Sequence, residues 1–182
     1  RFSVTDQGTI RDTESLLHDM QQRFSRLLIM NTVLAMGREP SQAFLDWRAY
    51  VAANPDMNVG ALMKRATSIL SDAETAAYDA PFPDINFKAG MRRFPQMVMV
   101  EPDMEGVETS KMAADFWQHI WQGQSFMAVG GSDPVLGPPV MAKMQKQING
   151  CPPPLIVEDA GHFVQEWGQQ VAEQAVAAFS NR

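Results

Sequence analysis

His162 and Asp133 are the residues in this chain whose types could do proton-transfer chemistry together. His162 stands in Glu158-Asp159-Ala160-Gly161-His162-Phe163, and Asp133 in Gly130-Gly131-Ser132-Asp133-Pro134. An imidazole works as a general base when a carboxylate orients it and bulk water is kept away. The two lie 29 positions apart, so the fold has to bring them together. Each has a plainer reading: His162 as a turn histidine bonding the backbone, Asp133 as an ordinary turn residue before Pro134. The pair carries more weight than either alone. Hydrolases built on an open parallel sheet carry nucleophile, acid and histidine in that order along the chain. No Gly-x-Ser-x-Gly, phosphate-cradling glycine loop or metal-ligand spacing is present, so a serine esterase is excluded by motif and no metal is implied. His18 and His119 fall on helical stretches and read as surface residues. Trp117 and Trp121 read as an i, i+4 packing pair.

The elements that must position this pair are short and well punctuated. Phe126 to Val129 is an apolar run closed by Gly130-Gly131, and Pro154 to Val157 is another closed before Gly161. Between them Val140, Met144 and Ile148 recur at helical spacing, ending at Asn149-Gly150. Strand, helix and strand in that order give two parallel strands, whose C-terminal ends share one edge of the sheet. Asp133 and His162 each follow such an end, where open α/β sheets place their sites.

Leu27 to Met30 reads as a third strand ending at Asn31-Thr32. From Val33 to Gln122 the pattern is almost wholly helical. Ser41 caps a helix carrying Phe44, Trp47 and Val51, and Ser71 to Glu74 has the form of a capping box. After the break at Ala80 to Asp84, helix resumes from Ile85 to Phe94 and stops at Pro95. Thr109 is expected to cap a last helix with Met112, Phe116, Trp117 and Ile120. Trp167, Val171, Ala175 and Phe179 mark the terminal packing helix. The opening is least regular: Val4 to Thr9 suggests a strand end and a tight turn, and Ile10, Leu16, Leu17, Met20 and Phe24 an amphipathic helix. The expected class is α/β, with a core segment over 1–32, a helical insertion over 33–122 and the rest of the core over 123–182. An insertion of this kind is the usual form of a cap over an active site. Three parallel strands alone are poorly covered. With Arg1 in first place, the expectation is a fragment whose sheet continues on the N-terminal side.

Composition agrees with an ordinary soluble globular protein. The 182 residues are 45% hydrophobic and 20% charged, which suits a core of ordinary size. A net charge of −6 without any basic run argues against nucleic-acid partners. Apolar runs are far shorter than a membrane span and no leader opens the chain, so no membrane association is expected. Cys151 is the single cysteine, which removes disulfides and makes cytoplasm the default compartment. Thirteen methionines read mainly as core filling.

From about Arg23 onward the sequence resembles the haloalkane dehalogenases of the α/β-hydrolase superfamily. The likeness runs in order through Arg26-Leu-Leu-Ile-Met-Asn31, Leu70-Ser-Asp-Ala-Glu74, Ala76-Ala-Tyr-Asp-Ala-Pro-Phe-Pro-Asp84 and Ala89-Gly-Met-Arg-Arg-Phe-Pro95. It continues through Phe116-Trp-Gln, Trp121-Gln-Gly-Gln, Phe126-Met-Ala-Val-Gly, Ile148-Asn-Gly-Cys-Pro152 and Asp159-Ala-Gly-His-Phe-Val-Gln-Glu166. The nearest branch acts on short chlorinated alkanes and keeps its acid after the penultimate strand. Another branch keeps it near Asn31, where this chain has an amide.

The resemblance implies a partial α/β-hydrolase fold with a helical cap inserted between parallel strands. It also implies a two-step displacement of the kind used in detoxification. An aspartate attacks the halogen-bearing carbon, giving an alkyl–enzyme ester and halide. His162 then activates water, with Asp133 orienting its imidazole. The implied partners are a small halogenated hydrocarbon, water and halide, with no cofactor. The family's nucleophile stands in an elbow reading roughly small-x-Asp-Trp-Gly-Gly. Asp6-Gln7-Gly8-Thr9 falls near that place, making Asp6 the candidate nucleophile and Gln7 the candidate halide donor. The spacing to Met30-Asn31 is one residue too long, and Arg11, Asp12 and Glu14 load a normally buried helix with charge. The second halide-binding tryptophan of close relatives is replaced by Ala66. The first strands and the oxyanion loop have no counterpart. Two other readings therefore stay open: an epoxide hydrolase, and a non-catalytic remnant or interaction module. A bare strand edge and an uncovered apolar face further lead to an expectation of poor solubility or self-association.

Overall fold

The computed structural model describes residues 24–180. Three parallel strands form one sheet in the order β1-β2-β3: β1 is Arg26–Met30, β2 is Gln124–Gly130 and β3 is Leu155–Val157. The register pairs Leu28 with Phe126 and Met30 with Ala128, then Ala128 with Leu155 and Gly130 with Val157. The central strand is buried from Ser125 to Gly130, as its unbroken apolar run requires.

Alternation along β2 divides the core into two layers. Met127 and Val129 pack with Phe116, Trp121, Met141, Met144 and Ile148. Phe126 and Ala128 pack with Val157, Ala160, Val164, Val171 and Ala175. The helix after β2 (Pro138–Lys146) thus lies over one face and the terminal helix (Gly168–Ser180) over the other. Coverage weakens away from β2. On β1, Leu28 remains 43% exposed, and Phe24 just before it is exposed too.

Between β1 and β2 the chain is helical: α1 (Gln42–Ala53), α2 (Val59–Ala66), α3 (Asp72–Asp79), α4 (Ala89–Met97) and α5 (Val107–Asp115). The two later helices are then α6 (Pro138–Lys146) and α7 (Gly168–Ser180). Side-chain caps start the first three of these helices, two of them at the expected Ser41 and Ser71. The Ser41 hydroxyl accepts from the Phe44 N–H, Asn58 accepts from Ala61, and Ser71 and Glu74 close a reciprocal capping box. Pro138 opens α6 at a position where a missing N–H costs nothing. Val59, Met63 and Leu70 form a small core of this segment with Tyr78, Phe82, Met91 and Phe163.

Three local expectations need correction. Helix does not stop at Pro95: a 3₁₀ turn over Ile85–Lys88 leads into α4, which runs through a buried Pro95 to Met97. So close to the helix end, proline forfeits one backbone bond, and its burial offsets part of that loss. Thr109 is not a cap, because α5 begins at Val107 behind Gly106, whose φ of 94° suits glycine. From Phe116 to Ile120 the helix widens to a π turn, closed by the Trp121 N–H on the Phe116 carbonyl at 2.9 Å. That turn puts both Phe116 and Trp121 into the core. Among the described residues no helix is long and apolar enough to cross a membrane.

Candidate active site

The loops after β2 and β3 are stitched to each other before any side chain of the site is considered. Gly131 N–H donates to the Val157 carbonyl and Ser132 N–H to the Ala160 carbonyl, each at 2.9 Å. The Ser132 hydroxyl donates to the Glu158 carbonyl at 2.9 Å. Gly130 has to be glycine, since a Cβ there would stand 2.0 Å from the Gly161 carbonyl oxygen. This close approach sets Asp133 and His162 on one edge.

Asp133 is held from both oxygens, and its side chain is fully shielded from solvent. Oδ1 accepts the backbone N–H groups of Val135 at 2.8 Å and Leu136 at 3.1 Å. Oδ2 accepts from Asn31 Nδ2 at 2.6 Å and meets His162 Nδ1 at 2.8 Å. Burial alone pushes this carboxyl up, but the hydrogen bonds from His162, Asn31, Val135 and Leu136 outweigh it and hold it at about 2. Asp133 is therefore an anion at neutral pH and cannot donate. The proton in this contact thus sits on Nδ1, and Nε2 is the ring nitrogen not engaged by the carboxylate. The His162 side chain is 43% exposed, and its ring meets Phe163 edge to face at 5.2 Å.

The turn reading of Asp133 and the pairing with His162 both hold, because one oxygen serves each. Asn31 is the part that residue-by-residue reading did not assign. It follows β1, is buried, adopts φ 23°, and accepts the Gly130 N–H on Oδ1 at 2.8 Å while donating to Asp133. Asparagine tolerates the left-handed region better than most residues. The signal for it was present: an amide after a strand end, on the edge that carries the other two.

Asp6, Gln7, His18 and the amphipathic stretch before Phe24 lie outside the described residues. His119 is exposed, 3.7 Å from Asp115. Trp117 and Trp121 pack edge to face at 5.1 Å, and the Trp121 indole N–H donates to Ser125 Oγ at 2.9 Å. Trp47 stacks on Tyr50 at 5.9 Å. The Trp121 indole N–H is thereby committed to the core. Among the described residues no group of His, Cys, Asp and Glu is arranged to hold a metal ion.

No family model matches the chain. It is 34% identical over 157 residues to a haloalkane dehalogenase of Mycobacterium marinum, covering 84% of this chain and 52% of that protein. Against a haloalkane dehalogenase of Psychrobacter cryohalolentis it is 33% identical over 168 residues, covering 88% and 54%. The solved structure of the tetrameric haloalkane dehalogenase DpaA from Paraglaciecola agarilytica superposes with a TM-score of 0.86 at 42% identity, over 91% of this chain and 56% of that one. The chain belongs to the haloalkane dehalogenase family of the α/β-hydrolase superfamily and carries part of that fold. It spans about half the length of the curated relatives it matches.

Proposed function

We propose that this chain is the C-terminal part of a hydrolase that cleaves carbon–halogen bonds of short haloalkanes, with residues 33–122 as the cap and 1–32 and 123–182 as core. The observation that carries the reading is the 2.8 Å contact between His162 Nδ1 and the buried Asp133 carboxylate, in a chain whose relatives are haloalkane dehalogenases. Asp6 is the proposed nucleophile and Gln7 the proposed halide donor. In the first step a carboxylate oxygen bonds to carbon as the carbon–halogen bond breaks, and halide leaves with its electron pair. In the second, water gives a proton to His162 Nε2 and adds to the ester carbonyl; collapse frees the alcohol and regenerates the carboxylate. One proton per turnover reaches solvent. Asp133 orients the imidazole and stabilises its charged form. No cofactor takes part. A cytoplasmic, detoxifying role belongs to the same reading, motivated by the single cysteine and the halogenated substrate class.

Epoxide opening needs an acidic hydroxyl aimed at the substrate oxygen. The chain has two tyrosines. The hydroxyl of Tyr78 is engaged by Glu166, and the ring of Tyr50 lies against Trp47. The engagement of the Tyr78 hydroxyl favours the dehalogenase reading.

The test is halide release from a short bromoalkane by the chain, its His162→Gln variant and its Asp6→Asn variant. Continuous release is expected from the parent, about one equivalent and then arrest from His162→Gln, and none from Asp6→Asn. Absence of release from folded parent protein would make the chain a non-catalytic relative. Diol formation from an epoxide without halide release would move it to the epoxide hydrolases.

A further inference from the structure

We propose that Tyr78 and Glu166 are positioning residues for His162, tying the histidine loop to the helical segment; the inference rests on the catalytic reading of His162 above. Tyr78 sits in the last turn of α3, and Glu166 in the 3₁₀ turn Val164–Trp167 that follows the histidine. The tyrosine hydroxyl donates to Glu166 Oε1 across 88 positions of sequence. The bond to Glu166 foremost, then burial, pushes the hydroxyl up from its ordinary value. Tyr78 thus remains a donor throughout the neutral range. A hydrogen bond to a carboxylate is stronger than a neutral one, and partial burial limits competition from water.

Two further contacts act at the same loop. Phe163, next to the histidine, packs into the small core of Val59, Met63 and Leu70, in which Tyr78 also takes part. Gly161, on the other side, lies so close to the Ala66 carbonyl oxygen that a Cβ would stand 2.7 Å from it. The Glu166 N–H bonds back to the Phe163 carbonyl at 3.1 Å, so a pull on Glu166 is passed directly to the loop. His162 is thereby gripped between two bodies. Asp133 fixes its Nδ1 from the sheet edge, while Gly161, Phe163 and Glu166 fix its backbone from α2 and α3. Of the contacts made from the helical segment, the Tyr78–Glu166 bond is directional and able to set a rotation of the loop. The packing contacts set its depth alone.

The experiment compares Tyr78→Phe, which removes the donor, with Glu166→Gln, which keeps an acceptor for the hydroxyl, both in the full chain. Two readouts are taken: amide hydrogen exchange of residues 160–166 against β2, and first-turnover halide release against steady-state release from a short bromoalkane. For Tyr78→Phe, exchange over 160–166 should rise about tenfold with β2 unchanged. Steady-state release should fall about five- to tenfold while the first turnover keeps its rate, because His162 acts in ester hydrolysis. Glu166→Gln should stay within about twofold of the parent on both readouts. The proposal is overturned if Tyr78→Phe exchanges like the parent, if its exchange rises equally in β2, or if Glu166→Gln is as damaging as Tyr78→Phe. Failure of the catalytic reading looks different: the parent shows no halide release that depends on His162, and the exchange readout then decides the tie by itself.

Discussion

Two buried polar side chains stand on opposite sides of the histidine loop, and the protein treats them in opposite ways. Asp133, on the sheet edge, is shielded from water and accepts from Asn31, His162, Val135 and Leu136. Thr67, at the end of α2 beside Ala66, is equally buried, yet its hydroxyl has no hydrogen-bond partner among the described residues. Burial of a polar group is costly unless it is bonded. At the sheet edge that cost has been met in full, and there the bonded atom is a carboxylate that orients an imidazole. On the helical side the Tyr78–Glu166 bond is joined by packing, and the Thr67 hydroxyl is left without a partner among the described residues.

The largest effect expected from breaking this arrangement is at Asp133 itself. Asp133→Ala would leave the Asn31 amide and two backbone N–H groups without their acceptor, and should cost about 3 kcal/mol in urea unfolding. Under the proposed mechanism it should also lower steady-state halide release about 10³-fold or more, as loss of an orienting acid does elsewhere. A variant as stable as the parent would mean that these donors find other acceptors.

Acid should reproduce part of that loss without any substitution. The folded-state carboxyl is held at about 2, below its ordinary 3.8, so its contribution is complete above the ordinary value. It is lost as pH falls from about 4 through about 2, and amounts to about 2 kcal/mol. Unfolding free energy followed against pH should show this slope in the parent and not in Asp133→Ala. Equal slopes would show that other carboxylates carry the acid sensitivity.

Asn31 supplies a smaller effect of the same kind. Asn31→Ala removes a donor to Asp133 and leaves the Gly130 N–H unpaired, for a cost of about 1–2 kcal/mol. Asn31→Asp sharpens the comparison further by placing a second carboxylate against Asp133 Oδ2, where Nδ2 now lies at 2.6 Å. Two such groups cannot both ionise easily, so the acid limb of any rate profile should move up by about one pH unit or more. A limb that stays in place would show that the dyad does not titrate with the rate.

How much of this was legible depends on whether the cause is local. The strand–helix–strand unit is readable because Gly130-Gly131 and Asn149-Gly150 punctuate it, and the caps at Ser41 and Ser71 because their chemistry spans four residues. The edge shared by Asp133 and His162 follows from parallel pairing alone. Passage of α4 through Pro95 and the π turn after Phe116 are decided by burial against distant residues, which no local pattern reports. The same is true of the Asn31–Asp133 and Tyr78–Glu166 bonds, whose partners are 102 and 88 positions apart. Asp6 and Gln7 lie outside the described residues, so their roles rest on sequence alone.

Thr67 gives the smallest and most discriminating effect. Its backbone is near-extended, at φ −144° and ψ 85°, a region that suits a β-branched side chain of either kind. Its carbonyl still accepts from Leu70 at 3.2 Å, so a substitution that spares the backbone leaves the turn into α3 intact. Thr67→Val keeps the shape and replaces the unpartnered hydroxyl with a methyl. Stability should rise by up to about 1 kcal/mol, read as a higher urea midpoint at unchanged slope. The contrast with Asp133 makes this result informative in either direction. A gain would show that the helical side of the loop carries an uncompensated polar atom; a loss of more than about 1 kcal/mol would mean that the hydroxyl is bonded in solution.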